Sequence, residues 1–270
     1  MPIIKAGDIN LEYYVEGEGP PLLLIMGFAG QASSWGEPIV ERLRQHFTVI
    51  RFSSRGTGLS DKPETPTTIN QMAEDAVALL DALNFDKVHV FGVSMGGMIA
   101  QDLVLNHPQR VNRLVIGCTT AGGATNETMS PEVGALMMPT PGLSREEQIR
   151  KAWPALCAPD FIENGQEFLE AMMVAGSKNP TPIDTLGKQM GAISGHDTTG
   201  RLAQIKTPTL VIHGDIDRLV PPSNGDRLAK GIPGAEHLTI HDSAHMFFWE
   251  KPDEAAGLVT EFLSRVPAEA

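Results

Sequence analysis

Short apolar runs alternate with amphipathic helical stretches along most of the chain. Residues 22–25 are continuously apolar, and residues 209–212 form a second such run after Thr209, which is typical of strands covered on both faces. Apolar positions at helical spacing predict a helix over 69–84 and a final helix over 252–265. Strands that alternate with helices predict an α/β protein with a doubly wound, mostly parallel sheet.

The other predicted elements follow the same alternation and have shorter or weaker patterns. They are strands at 9–15, 47–52, 87–90, 111–118 and 236–241, and helices at 98–105 and 223–231.

Residues 120–200 depart from this alternation, because no segment there has a convincing strand pattern. We expect a helical cap that is inserted after the strand at 111–118 and covers the carboxyl ends of the strands. Residues 1–119 and 201–270 then form the core domain. The inserted stretch holds six of the twelve methionines, which favour flexible packing over a cofactor site. Its predicted helices lie near 131–138, 145–157, 160–174 and 182–193.

Composition excludes several classes of partner. The net charge of -12 argues against nucleic acid or an anionic membrane. The longest apolar run near the start, residues 22–26, is too short to span a bilayer, so we expect a cytoplasmic protein. Cys118 and Cys157 form no close pair, and neither a disulfide framework nor a thiol metal site is predicted. Homo-oligomerisation stays open.

The segment around Ser94 carries the strongest chemical signal. Residues 92–96 read Gly-Val-Ser-Met-Gly and join a predicted strand to a predicted helix. Such a turn strains the serine backbone and exposes its hydroxyl, and Gly92 and Gly96 let strand and helix approach closely. The Met95 amide then lies at a helix N-terminus, where it can stabilise a developing negative charge. The motif by itself also fits a glycine-rich turn with a capping serine.

A nucleophilic serine needs a base and a carboxylate that orients the base. Asp215 and Asp217 follow the apolar strand at 209–212, and His245 follows the next strand. Asp215 lies where the chain leaves the strand and is expected to anchor the turn. Asp217 lies further out and is expected to reach the loop that carries His245.

Other histidines could be read as metal ligands. His213, His237 and His241 lie near the two aspartates in the predicted sheet. We favour structural roles for them, since strand histidines are usually structural and no third fixed ligand converges by spacing.

The chain resembles α/β-hydrolase fold enzymes over nearly its whole length. Within that family it is similar to a branch of 3-oxoadipate enol-lactonases, cofactor-free haloperoxidases or perhydrolases, and small carboxylesterases. A serine nucleophile sets it apart from haloalkane dehalogenases and epoxide hydrolases, which use aspartate there. The motifs that carry the resemblance are residues 26–28 (Met-Gly-Phe), 55–60 (Arg-Gly-Thr-Gly-Leu-Ser), 92–97 (Gly-Val-Ser-Met-Gly-Gly), 213–217 (His-Gly-Asp-Ile-Asp) and His245 with 250–252 (Glu-Lys-Pro).

The resemblance implies a catalytic triad of Ser94, Asp217 and His245. It also implies an oxyanion hole formed by the backbone amides of Phe28 and Met95, with no metal and no organic cofactor.

Three positions depart from the family pattern. Met26 stands where the family usually has histidine, but the oxyanion hole can survive because the backbone donates. Ser53 replaces an aspartate, and we expect this change to loosen the loop that follows. Ala244 stands where glycine usually precedes the catalytic histidine.

These features predict a serine esterase that acts through an acyl-enzyme on a small-molecule ester or lactone with an apolar group. Enol-lactone or C–C bond hydrolysis, perhydrolysis and acyl transfer use the same triad and stay open, as does a non-enzymatic receptor on a hydrolase scaffold. Trp35 also fits a packing role. The residues expected to line the substrate pocket, in the cap and at its rim, are Trp35, Met129, Met138, Phe168, Met172 and Met246.

Overall fold

The computed structural model describes residues 2–265, and the strands in this range form one sheet of eight. They are β1 (Ile3–Ala6), β2 (Ile9–Glu16), β3 (Pro21–Ile25), β4 (Thr48–Phe52), β5 (Val88–Val93), β6 (Val111–Gly117), β7 (Thr209–Gly214) and β8 (Glu236–Ile240). Their order is β1-β2-β4-β3-β5-β6-β7-β8. The strands from β4 to β8 in this order pair in parallel, whereas β1 and β2 pair antiparallel. This topology confirms the predicted fold class.

Helices cover both faces of the sheet. In chain order they are α1 (Glu37–Leu43), α2 (Ile69–Ala82), α3 (Met95–Asn106), α4 (Pro131–Met137), α5 (Arg145–Leu156), α6 (Pro159–Asn164), α7 (Gln166–Ser177), α8 (Ile183–Ser194), α9 (Ser223–Gly231), α10 (Phe247–Glu250) and α11 (Pro252–Leu263). One apolar core lies under α2 and α3, and the other lies under α1 and α11. Over residues 2–265, no helix has the length and apolar character that a membrane crossing requires.

Five helices, α4 to α8, separate β6 from β7 and form what we call the helical insertion. The structure describes every residue from 118 to 208 and places no strand of the sheet there. Trp153, Cys157 and Leu169 form a small apolar cluster within the insertion, and Met246 and Trp249 of the core pack against it. The insertion is therefore fastened to the segment that follows β8. The limits 120–200 for a separate cap domain stay a prediction.

His89 in β5 and His196 after α8 are buried histidines outside the predicted catalytic groups. Burial lowers the pKa of each to about 4, and the positive charge of Arg113 adds to the effect at His89. A histidine in an unfolded chain binds its proton near pH 6.5, so the unfolded state takes up more protons than the folded state between about pH 6.5 and 4. The free energy of unfolding therefore falls as the pH is lowered through this range.

We expect His89→Gln to weaken this pH dependence, because it removes a group that takes up a proton on unfolding. The fall in melting temperature between pH 7.5 and pH 4.5 should be smaller in the variant than in the parent protein. His46→Gln, at an exposed histidine, is the matched control and should leave the fall unchanged. An equal fall in the parent and H89Q would contradict the assignment.

Candidate active site

Ser94 lies at a sharp turn between β5 and α3, with φ 56° and ψ -125°. A non-glycine residue in this region is strained, and such strain is concentrated at functional sites. A Cβ atom on Gly96 would lie 2.0 Å from the Ile25 carbonyl oxygen, and one on Gly92 would lie 2.3 Å from that of Gly96. Only glycine therefore allows the elbow to pack against the end of β3.

The loop of residues 26–30, which we call the oxyanion loop, lies directly against this elbow. A Cβ atom on Gly27 would lie 2.9 Å from that of Ser94. Within residues 2–265, neither the Phe28 amide nor the Met95 amide donates a hydrogen bond to another protein group. Both N–H groups are thus available to a ligand oxygen beside Ser94. The Met26 side chain, where the family has histidine, is buried and packs in the apolar core.

Ser53 does not loosen the following loop, and that expectation is wrong. Its hydroxyl is buried, donates to Glu12 Oε2 at 2.8 Å and accepts from the Ala32 amide at 3.0 Å. Glu12 Oε2 also accepts the Leu59 amide at 2.9 Å. The Glu12 carboxylate therefore supplies, from β2, an acidic group that fastens this loop.

Asp217 and His245 form a buried hydrogen-bonded pair. Asp217 Oδ2 lies 2.8 Å from His245 Nδ1, while Oδ1 accepts the Leu219 and Val220 amides at 2.9 Å each. Nε2 of His213 lies 3.4 Å from the same Oδ2 atom. Burial alone would raise the pKa of Asp217, but His245 and His213 outweigh it and lower that pKa to about 2. The carboxylate is ionised and oriented toward the imidazole.

Asp215 has different partners, although it is only two residues away. Its Oδ2 atom lies 3.0 Å from His241 Nδ1, and its Oδ1 atom accepts the Ser243 amide at 3.4 Å. These contacts hold the turns after β7 and β8. Asp217, not Asp215, is the carboxylate that contacts His245.

Glu250 holds the loop before His245. Its carboxylate accepts the Ser243 hydroxyl at 2.8 Å, the Ala244 amide at 3.0 Å and the Ala158 amide at 3.2 Å. Burial raises the pKa of this carboxyl group above its usual value. Ala158 belongs to the turn between α5 and α6, so Glu250 joins the His245 loop to the helical insertion.

Ser94 and His245 line one cavity of about 470 Å³ between the sheet and the helical insertion. No hydrogen bond joins their side chains among the described residues, and in hydrolases this contact often tightens only when substrate binds. Most of the cavity lining is apolar, and the insertion supplies nearly half of the residues that line it. Its members there include Ile149, Trp153, Leu156, Leu169, Met172 and Met173.

The structure corrects part of the predicted pocket. Met172 and Met246 line the cavity, but the other four residues do not. Trp35 is fully buried, with its ring 5.1 Å from that of Phe91 and 5.2 Å from that of Phe248.

The remaining three have other surroundings. Phe168 packs against Trp249, with ring centroids 5.5 Å apart. Met129 precedes α4 and Met138 follows it, and 36% and 64% of their surfaces are exposed. A helical face predicted from spacing does not fix the rotation of a short helix such as α7, which explains the error at Phe168, and Met129 and Met138 lie outside any helix.

Ile149, Trp153 and Leu156 were missing from the predicted pocket. Their i, i+4 and i+7 spacing in the predicted helix at 145–157 is a clear apolar stripe, so the pattern contained the signal.

The histidines singled out above as possible metal ligands have other partners. His237 lies 3.1 Å from Asp226, and His241 lies beside Asp215. Within residues 2–265, no three histidine, cysteine or acidic side chains form a metal-binding group. Cys118 and Cys157 are buried free thiols whose pKa values burial raises, so neither is a thiolate at neutral pH.

Comparison with known proteins agrees with this architecture. The sequence matches the α/β-hydrolase fold family over residues 20–252. The chain therefore belongs to the α/β-hydrolase fold family, and the resemblance predicted from its motifs is confirmed.

Its relatives are hydrolases of several kinds. The protein RutD of Azorhizobium caulinodans, provisionally named a carbamate hydrolase, is 33% identical over 94% of each chain. A 2-hydroxy-6-oxononadienedioate/2-hydroxy-6-oxononatrienedioate hydrolase of Paraburkholderia xenovorans is 30% identical over 97% of this chain and 93% of that protein. The crystal structure of the enol-lactonase from Burkholderia xenovorans LB400 matches with a TM-score of 0.83 and 27% identity, covering 98% of this chain and 100% of that one. These relatives support a hydrolase, but they differ in the bond they cleave.

Proposed function

We propose that the protein is a serine esterase that hydrolyses neutral carboxylic esters or lactones through an acyl-enzyme. The observation that carries this proposal is the buried Asp217–His245 pair, whose histidine lines the same cavity as the strained Ser94. Nucleophile, base and orienting carboxylate are the parts that acyl transfer needs.

In the proposed reaction, Ser94 Oγ attacks the substrate carbonyl while His245 Nε2 accepts the hydroxyl proton. Asp217 accepts the Nδ1–H of His245, which keeps the imidazole in the required tautomer and stabilises the imidazolium. The Phe28 and Met95 amides donate to the tetrahedral oxyanion. His245 then gives its proton to the leaving alcohol, and later activates the water that releases the acid. No step of this sequence calls for a metal or organic cofactor.

The cavity lining favours an uncharged substrate. Among the described residues that line it, Arg145 is the single lysine or arginine, and its side chain is exposed at the start of α5. A substrate carboxylate bound deep in the cavity would lie against apolar side chains, which is costly without an ionic partner. We therefore propose that the insertion acts as a cap that binds an apolar acyl or alcohol group of short to medium length.

We expect kcat/KM for p-nitrophenyl butyrate to exceed that for 3-oxoadipate enol-lactone by at least about tenfold. A tenfold change corresponds to ~1.4 kcal/mol, and burying an unpaired substrate carboxylate costs more than that. Initial rates over a range of concentrations of each substrate measure it. A preference for the dicarboxylic lactone would overturn the substrate class.

Arg145→Gln provides the matched control for charge. With a neutral ester, its kcat/KM should stay within about threefold of the parent value, since an exposed charge has little effect on a neutral group. A large loss with the neutral ester would mean that Arg145 serves this reaction in another way.

A further inference from the structure

The helical insertion contacts the oxyanion loop through polar groups. Gln189 of α8 is buried, and its Oε1 atom accepts the Ala29 amide at 2.8 Å. The Thr181 hydroxyl donates to the Ala29 carbonyl oxygen at 3.2 Å. Close by, Gln31 Nε2 donates to the Asn179 carbonyl oxygen at 2.7 Å. Both backbone polar groups of Ala29 are thus bound by the insertion.

Ala29 needs such support because of its backbone. Its φ angle is 57°, a left-handed conformation that a residue with a Cβ atom adopts only at a cost. Ala29 directly follows Phe28, so rotation of the Ala29 backbone would also change the direction of the Phe28 amide. A loop under strain keeps one conformation only where surrounding contacts hold it.

The orientation of the Gln189 side-chain amide follows from this contact. The Ala29 N–H is a donor, so the oxygen of Gln189 must face it and the nitrogen must point away. Nε2 is then buried and has no hydrogen-bond partner among the described residues. An unpaired buried donor is costly, and a leucine or methionine would avoid that cost. The presence of glutamine at position 189 is therefore better explained by its hydrogen bond to the oxyanion loop than by a contribution to the stability of the insertion.

We infer that Gln189 is a positioning residue for the reaction. It holds the oxyanion loop so that the Phe28 amide is directed at the carbonyl oxygen of the substrate that Ser94 attacks. The inference rests on the proposed function and extends it: the insertion contributes to transition-state stabilisation as well as to substrate binding.

Lys188 offers a matched comparison. It is adjacent to Gln189 in α8, and its ammonium donates to the Pro63 carbonyl oxygen at 2.7 Å. Removing either side chain deletes one hydrogen bond between the insertion and the core, but only Gln189 touches the oxyanion loop. A general loosening of the insertion would affect both variants alike.

The test compares Gln189→Met with Lys188→Met on a p-nitrophenyl ester. Q189M should lower kcat by about 10- to 100-fold, less than the 10²–10³ that follows from loss of an oxyanion donor, because the Phe28 amide is still present. KM should change by less than about threefold, since the ground-state ester depends little on the oxyanion hole. K188M should change neither value by more than about twofold, because its half-buried hydrogen bond does not involve the oxyanion loop.

A second readout is the inhibition constant of an alkyl trifluoromethyl ketone, which forms a tetrahedral adduct with a nucleophilic serine. Its affinity should weaken in Q189M by about the same factor as kcat, because a transition-state analogue depends on the same contacts. Parental kcat and inhibitor affinity in folded Q189M would overturn the inference. So would an equal loss in K188M, or a rise in KM with kcat unchanged.

Gln189→Glu tests the acceptor itself and serves where Q189M does not fold. Burial without an ionic partner favours the neutral carboxylic acid, which has the shape of glutamine and keeps an oxygen for the Ala29 amide. At pH 6, kcat should therefore stay within about threefold of the parent at the same pH. A loss of tenfold or more in folded Q189E would overturn the inference. If the parent protein does not hydrolyse esters, the proposed function is wrong. If the parent hydrolyses esters and Q189M has the same kcat and inhibitor affinity, the proposed function stands and only this inference is wrong.

Discussion

Ser94→Ala is expected to abolish ester hydrolysis, with a loss in kcat on the order of 10⁴ to 10⁶, the range seen when a catalytic serine is removed. The variant lacks the atom that forms the acyl-enzyme, whereas the cavity, the His245–Asp217 pair and the backbone amides are kept. Substrate should still bind, so the remaining rate reports what the site does without its nucleophile. Steady-state kinetics of purified protein measure the loss.

The fold of this variant should be intact. The Ser94 side chain makes no hydrogen bond to another group within residues 2–265, so its removal leaves no partner unpaired. The melting temperature should therefore stay close to that of the parent. Ser194→Ala, at an exposed hydroxyl that donates to the Met190 carbonyl oxygen, is the matched control and should keep full activity. Unchanged turnover in S94A would remove the basis of the mechanism.

Asp217→Asn should lower kcat by about 10⁴, by analogy with the aspartate of serine proteases. An amide nitrogen facing His245 Nδ1 would favour the tautomer in which Nε2 carries the proton and cannot act as a base. The change also removes the charge that stabilises the imidazolium. KM should change little, because the Asp217 carboxylate is buried and does not line the cavity that holds Ser94.

Asp215→Asn is the matched comparison, because Asp215 lies two residues before Asp217 and the same substitution is made at both positions. Its contacts are with His241 and the Ser243 amide, so we expect a loss of about 1 kcal/mol in the free energy of unfolding and little change in kcat. Turnover and melting temperature should be measured together for both variants. The triad assignment would be wrong if D215N lost turnover and D217N kept it.

The sheet could be predicted because its central strands carry a simple physical signature. A parallel strand covered by helices on both faces is apolar along most of its length, as β3 is throughout and β7 is over residues 210–212. The missed elements have no such signature. Strand β1 has four residues at the edge of the sheet, α10 has four residues just before α11, and α1 has only seven residues.

Some residues of the candidate site are marked by a local sequence pattern, whereas the position of others depends on how distant segments pack. Ser94 and His245 were predictable because glycines and chain order mark the turns that carry them. The partner of Asp217 followed from its place in the loop after β7. Gln189 could not be predicted, since its contact with Ala29 joins residues 160 positions apart and depends on how the insertion packs on the core. Trp35 was misplaced for a similar reason: its burial depends on rings from β5 and α10.

Covalent labelling tests the central claim most directly. The parent protein, S94A and D217N are treated with an alkyl fluorophosphonate, and the intact masses and the modified peptides are determined by mass spectrometry. The account predicts a single adduct on Ser94 in the parent, slow labelling in D217N and none in S94A. A parent protein that stays unlabelled, or that carries its adduct on a residue other than Ser94, would contradict the account.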